Sequence, residues 1–317
     1  EIAQCLVGSE MCIRDRSLRA VSRTYRHCLE YKKGLIPPRT DIFRVIDGEG
    51  DGYPDVFVDR LGDRILVSTR DCAVPVNLRK ELAGLDVPVF NKRLEQNQKE
   101  VPIQIAGPVL PLQFEAEEQG VLFRLDMSAG YSQGIFLDQR DHRRRVRERS
   151  RPGMKVLNTF AYTGAFSVYA ALGGAQTTTL DLAQPCLEWA RENFRLNGMD
   201  PAGQYFCKGD VLHWLERFAR QGRTFHGIIL DPPTFSRDDR GGVFRVESHY
   251  GELVSLARKC LERDGWMLCT SNCRKLSHSD FRRMVEAAAP GARLTHDPMP
   301  ADFTGEDYLK RLWVDWK

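Results

Sequence analysis

Beyond Pro152-Gly153 the sequence alternates short apolar runs with amphipathic stretches, and this alternation limits the fold more than any other feature. Residues 156–160 read as a continuous apolar strand, followed by a turn and a helix over 165–172. Residues 177–180 are the next strand and 185–196 the next helix. Strand-like 204–207 and 227–230, helical 252–261 and strand-like 266–270 continue the series. Strands that alternate with helices imply right-handed βαβ units, so the expected fold class is α/β with a parallel, doubly wound sheet.

Upstream the texture differs. Leu18, Val21, Tyr25, Cys28 and Leu29 recur at three- and four-residue spacing, which predicts an amphipathic helix over 17–33, closed by Gly34 and Pro37-Pro38. Strands are expected at 42–46, 55–60, 64–68 and 121–125, with a hairpin turn at Leu61-Gly62-Asp63 and a short helix at 78–85. The chain has 317 residues, enough for two domains. The expected division is a helix plus small α+β domain over 17–126, of about five strands, and the doubly wound domain over 127–317. Residues 1–16 (EIAQCLVGSEMCIRDR) have neither period and read as translated adapter or assembly read-through, a non-native artefact segment.

Composition excludes several classes. With 42% hydrophobic and 28% charged residues the chain is expected to fold. No apolar run approaches the roughly 18 residues of a membrane helix, so no membrane partner is expected. The net charge is only +3, so any surface for nucleic acid must be local. Nine cysteines without a CxxC pair fit a reducing compartment, and no basic-then-apolar leader opens the chain; a cytoplasmic location is expected. Seven histidines show no HExxH spacing, so no metal is expected. The stretch from Asp47 to Gly52 (DGEGDG) mimics an EF-hand loop, but its twelfth position is Val58, and its acids would repel a phosphate; it reads as a turn.

Four segments carry chemistry. In 156–167 a buried strand enters a tight turn and a helix, which is where a doubly wound sheet binds its ligand. Gly164 is the only glycine in that turn, too few for a dinucleotide pyrophosphate. Asp181, 17 residues on, is placed for ribose hydroxyls, and Asp210 for an adenine amine. Ribose plus adenine without a phosphate cradle describes S-adenosyl-L-methionine; the plainer alternative for Asp181 is a helix cap. Next, Asp231-Pro232-Pro233-Thr234-Phe235 ends an apolar strand, and two prolines force the chain out of the sheet beside the cofactor site. A carboxylate, two prolines and an aromatic ring suit gripping a flat base; the plainer alternative is a stiffened turn. After strand 266–270, Cys273 falls on the same rim as Asp231, where Arg274 and Lys275 favour a thiolate; alternatively it is a small loop residue. Finally, seven arginines between 140 and 151, Arg143 and Arg144 among them, form a basic helix able to track a phosphate backbone, or simply a solvated face.

The residues FLDQRDHRR (136–144), VLNTFAYTGAFSVYAA (156–171), DPPTFSRD (231–238) and SNCRKL (271–276) together resemble the bacterial 23S rRNA cytosine-C5 methyltransferase family. Residues 42–63 resemble that family's small central α+β domain. The resemblance runs from about residue 17 to 317 and implies a Rossmann-like class I S-adenosylmethionine-dependent domain over 127–317, acting on large-subunit rRNA. It departs in two places. The family commonly begins with a PUA-type RNA-binding domain, to which nothing here corresponds; a truncated chain or a shorter branch is expected. The family's nucleophile loop usually reads Ser-Cys-Ser, whereas here Asn272-Cys273-Arg274 stands.

On this resemblance Cys273 would add to cytosine C6 and Asp231 would stabilise charge developing on the ring. Phe235 would stack on the unstacked base, with Pro232, Pro233, Arg143, Arg144 and Arg274 on the substrate side. Asn158, Phe160, Tyr162, Thr163, Gly164, Asp181 and Asp210 would hold the cofactor, and Gln139 and Arg140 would close over it. Three rivals stay open: a guanine or adenine N-methyltransferase (guanine N7 or N2) needing no nucleophile, a non-catalytic RNA-binding protein, and a small-molecule methyltransferase. A monomer and a homodimer are equally compatible with the sequence.

Overall fold

The computed structural model describes residues 23–94, 100–130, 132–237 and 242–316. Residues 1–16 and the first part of the expected helix, 17–22, lie outside them. The chain divides into two compact units.

The described part of the first unit comprises residues 23–36, 42–94, 100–110 and 301–306. Its helix α1 (Tyr25–Lys33) is capped by Thr24 and buries Tyr25, Cys28 and Lys32, the three- and four-residue spacing of one helical face. Five strands form one sheet in sequence order: β1 (Ile42–Asp47), β2 (Val56–Leu61), β3 (Arg64–Thr69), β4 (Val89–Arg93) and β5 (Ile103–Ala106). Only β3 and β4 run parallel, and helix α2 (Val76–Ala83) makes that crossover. The acidic glycine-rich stretch is a turn, with Gly48–Asp51 in 3-10 conformation and Gly52 left-handed at φ 82°. A Cβ on Gly50 would sit 2.3 Å from the Thr304 carbonyl oxygen, so close backbone approach explains that glycine. Asp51 turns inward to pair with Lys32 at 3.1 Å, both fully enclosed.

The second unit begins with residues 37–41 and continues from 111 to 300 and from 307. The hairpin β6 (Gln113–Glu118) and β7 (Val121–Asp126) therefore goes with this unit, so the division falls at 110/111 where the sequence suggested 126/127. The reason is side-chain bonding: Asn193 and Asn197 accept from the Arg124 and Leu122 amides at 2.9 Å, and Trp189 donates to the Arg124 carbonyl.

Helix α3 (Arg140–Arg149) precedes a seven-stranded sheet. Its strands are β8 (Lys155–Thr159), β9 (Gln176–Asp181), β10 (Tyr205–Lys208), β11 (Phe225–Leu230), β14 (Leu261–Ser271), β15 (Arg293–Thr295) and β16 (Lys310–Asp315). The order is β10-β9-β8-β11-β14-β16-β15, parallel except that β16 runs against both its neighbours. A small hairpin, β12 (Phe235–Arg237) with β13 (Val243–Arg245), lies between β11 and β14 in the chain.

Alternate strand residues feed two cores, one on each face. Ile228 and Leu230 pack with helices α6 (Val211–Arg220), α7 (Val246–Arg258) and α8 (His278–Ala288). Ile229, between them, packs with Val146 of α3 and with Phe166 and Ala170 of α4 (Ala165–Leu172). The sheet is thus covered on both sides, as the unbroken apolar strands require. The strand order reverses between β8 and β11, so a crevice opens at their carboxyl ends.

Candidate functional site

A cleft of about 280 Å³ lies at that crevice, inside the second unit. Its first wall is the turn after β8. Phe160 and Tyr162 adopt positive φ (52° and 48°), and Gly164 does so at 73°. Such a turn is held by its bonds. Thr163 Oγ1 donates to the Gly134 carbonyl at 2.6 Å, Asn193 donates to the Thr163 carbonyl at 2.9 Å, and Asn158 donates to Ser167 at 3.0 Å. A Cβ on Gly164 would lie 2.7 Å from that of Ala190, on helix α5 (Gln184–Leu196). Gly164→Ala is expected to lower stability by about 1–3 kcal/mol through positive φ and overpacking, read as a lower urea midpoint at unchanged slope.

Asp181, at the tip of β9, forms the second wall. Its Oδ2 accepts from the Tyr162 amide at 2.8 Å and its Oδ1 from the Ala183 amide at 2.9 Å. It braces two turns and also lines the cleft, so the turn-bracing and ligand-facing readings hold together. Burial raises its pKa against the amide bonds of Ala183, Tyr162 and Leu182. Asp210 lines the cleft while capping α6, accepting from the His213 amide at 3.0 Å.

The third wall is Asp231-Pro232-Pro233 after β11. Thr270 Oγ1 donates to Asp231 Oδ1 at 2.5 Å, and Gln139 Nε2 lies 3.3 Å from Oδ2. Burial dominates and pushes the carboxyl up to about 6, helped by the nearby Asp138 charge and opposed by Arg143 and the two hydrogen bonds. Asp138 is a fourth carboxylate lining the cleft, bonded by the Tyr308 hydroxyl at 2.8 Å.

Of the sequence-predicted cofactor residues, Gln139, Asn158, Phe160, Tyr162, Thr163, Asp181 and Asp210 line this cleft. Arg140 and Gly164 do not; Arg140 is buried and Gly164 shapes the turn from behind. Pro232 and Pro233 line it, but Phe235 does not. Phe235 sits 44% exposed on β12, with the Arg245 guanidinium 5.2 Å from its ring centroid, and the next residue, Ser236, faces the cleft. The period-two alternation of a strand makes that choice.

Cys273 is not brought to the cleft. It is 1% exposed and belongs to the apolar cluster of Leu276 and Phe281, while the preceding Asn272 lines the cleft and accepts from Thr234 at 3.1 Å. Asn272 and Asp138 both stand inside the motifs quoted above, one beside a cysteine and the other just before an arginine run, whose chemistry is the stronger signal in the sequence.

The arginine helix departs from both its readings. Arg143 is buried, in a two-pronged pair with Glu118 at 2.7 and 2.6 Å, and it also lines the cleft. Arg145 and Arg149 pair with Asp297 and Asp315 and lie over Trp313. Arg144 is exposed but bonds Glu148 one turn on, at 2.7 Å. Most of this charge is spent inside the unit, leaving Arg144, Arg147 and Arg151 as the exposed arginines of the run. Arg274 is exposed, its guanidinium 5.2 Å from the Tyr308 ring.

A family model described as S-adenosylmethionine-dependent methyltransferase matches residues 105–294, more than half of the chain. The chain belongs to that family. Among relatives of this methyltransferase, ribosomal RNA large subunit methyltransferase I of Klebsiella pneumoniae (strain 342) is 31% identical over 280 residues, covering 84% of this chain and 68% of that protein. Ribosomal RNA large subunit methyltransferase K/L of Shewanella frigidimarina (strain NCIMB 400) is 27% identical over 308 residues, covering 92% of this chain but 43% of that protein. The crystal structure of SMU.776, a methyltransferase complexed with SAH, superposes with a TM-score of 0.81 at 27% identity, over 93% of this chain and 82% of that one. The methyltransferase uses S-adenosylmethionine, and the cleft fits it. Its turn has one glycine and no phosphate cradle, the Asp181 carboxylate keeps accepting capacity beyond its amide bonds from Tyr162, Leu182 and Ala183, and Phe160, Leu182, Val211 and Pro232 supply apolar walls. No group of three or more acidic, cysteine or histidine side chains able to hold a metal occurs among the described residues, and no described helix is long and apolar enough to cross a membrane.

Proposed function

We propose that this methyltransferase modifies a base of large-subunit rRNA, and that the base is a guanine methylated on nitrogen without a covalent adduct. The rRNA part rests on the two relatives and on the resemblance of the four motifs. The nitrogen part rests on one observation: Asn272 lines the cleft beside Asp231, and the Cys273 thiol is packed among Leu276 and Phe281. A ring or exocyclic nitrogen carries its own lone pair, so it needs orientation, and the exocyclic amine also a proton acceptor for the proton it loses, rather than a nucleophile.

When bound, S-adenosylmethionine supplies a sulfonium-activated methyl group. Asp181 would accept from its ribose hydroxyls, and Phe160, Leu182 and Val211 would flank its adenine. Asp231 would accept a hydrogen bond from the base, orient its edge, and stabilise positive charge as it develops on the nitrogen. Guanine offers adjacent N1–H and N2–H donors, which match a carboxylate acceptor. Pro232 and Pro233 hold the segment extended, so the base enters edge-on, and Asn272 offers an amide to its remaining acceptors. Exposed Phe235, with Arg245 over its ring, suits a neighbouring unstacked nucleotide and its phosphate better than the target base itself.

Cytosine C5 methylation through Cys273 is the second reading. It is favoured by the position of Cys273, one residue beyond Asn272 at the carboxyl end of β14, and it requires the 272–275 turn to rotate the thiol outward.

Tritiated S-adenosylmethionine, undermodified large-subunit rRNA and the full chain decide between them after digestion to nucleosides. Label in a methylated guanosine, equal for the wild type and Cys273→Ala once corrected for folded fraction, is expected. Label in 5-methylcytidine that vanishes in Cys273→Ala would replace the first reading with the second. No label in either nucleoside would overturn the rRNA assignment.

A further inference from the structure

Gln139 and His142 are buried side chains one helical turn apart at the start of α3. His142 Nδ1 lies 2.6 Å from Gln139 Oε1, and Gln139 Nε2 lies 3.3 Å from Asp231 Oδ2. A carboxamide oxygen only accepts, so the 2.6 Å contact requires the proton on Nδ1. Burial pushes the His142 pKa down to about 4, so near neutral pH the ring is uncharged and carries one N–H. Among the described residues, its Nε2 is buried without a hydrogen-bond partner. A bare lone pair is tolerable there, whereas an N–H would be an orphaned donor.

Both ends therefore reject a flipped amide. Turned over, Gln139 would aim its oxygen at the Asp231 carboxylate and force the proton of His142 onto the orphaned nitrogen. We infer that His142 is a positioning residue for methyl transfer, which through Nδ1–H fixes the Gln139 carboxamide so that its Nε2 donates to Asp231. The inference rests on Asp231 meeting the base, as proposed above. The other groups facing Asp231 are Thr270 from β14, Asp138 and Arg143. Those facing His142 are Asp297, Arg311, Arg143 and Arg145. None of these lies between Gln139 and His142 in the 2.6 Å contact.

The test has two arms, both on the full chain. Nitrogen-15 histidine spectra, with His142→Asn to assign the resonances, are expected to report an Nδ1–H tautomer for His142. In methyl transfer, His142→Phe keeps ring volume and removes the donor. Its kcat is expected to fall about tenfold, as for loss of orientation at a reacting group. The acidic limb of its pH profile should move to higher pH, because the Asp231 carboxylate loses a donor, while calorimetric affinity for S-adenosylmethionine stays within about twofold. His142→Asn, whose amide nitrogen occupies the Nδ1 position, should restore most of the limb. An Nε2–H tautomer, or an unmoved limb in a folded His142→Phe, would overturn the inference. The spectroscopic arm needs no RNA, so failure of the guanine reading is told apart from failure of this contact.

Discussion

Asp231→Asn is expected to cost the methyltransferase about 10²–10³ in kcat while leaving its affinity for S-adenosylmethionine within a few-fold, because one charged acceptor at the reacting base is lost and the Asp181 wall is untouched. The same substitution should alter stability in the opposite sense. In the folded chain burial holds the Asp231 carboxyl at about 6, above its ordinary value. A raised carboxyl means that the fold disfavours the ionised form. That penalty is absent below the unfolded value near 4, grows as pH rises to 6, and is fully present above it. Asparagine does not ionise. Relative to Asp231→Asn, the wild type should therefore lose about 2 kcal/mol between pH 4 and pH 8 in urea unfolding. Equal pH dependence of the two proteins would show that the carboxyl is solvated, and unchanged kcat would remove Asp231 from the reaction.

The second large effect concerns Arg143. Its guanidinium and the Glu118 carboxylate are almost fully enclosed, and the Tyr169 hydroxyl also donates to Glu118 Oε1 at 3.0 Å. Removing one member of such a pair strands the other charge in a dry site. Arg143→Met is expected to destabilise by about 3–5 kcal/mol in chemical unfolding. The double variant Arg143→Met/Glu118→Leu should recover much of this, since replacing both members of a buried pair by apolar side chains is often close to neutral. A single-variant loss below about 1 kcal/mol would mean that water reaches the pair. The two experiments report on different things: Asp231→Asn on chemistry at the end of β11, Arg143→Met on the pairing of α3 with the hairpin that Glu118 belongs to.

Much of the second unit was legible because its central strands are short, largely uncharged runs buried on both faces and its helices begin and end on turn residues. The helix expected at 165–172 forms over those residues, and 156–160, 177–180 and 227–230 became β8, β9 and β11 within one or two residues. Strands β4, β5 and β6 left no clear signal. In all three, polar residues interrupt the apolar pattern: Asn91 and Lys92 in the interior strand β4, Gln104 in the edge strand β5, and Glu115 and Glu117 in the half-exposed β6. Helix α6 hid in a similar way, its core side Val211, Leu215 and Phe218 set among charged residues.

The amino-acid sequence by itself determined the doubly wound sheet, the place of the cleft at β8 and β11, the carboxylates Asp181 and Asp231, and through them the cofactor. These follow from local periodicity and from residues that end strands, which is information carried within a few positions. Only the tertiary structure decided which side chains face the cleft. One residue of register separates Asn272 from Cys273 and Ser236 from Phe235, and that register is set by what packs beneath the strand ends. Likewise the charge of α3 looked like a surface for phosphates until Glu118, Asp297 and Asp315, distant in sequence, arrived to neutralise it. A list of residues fixes what charges a chain carries; long-range packing fixes which of them solvent and substrate ever meet.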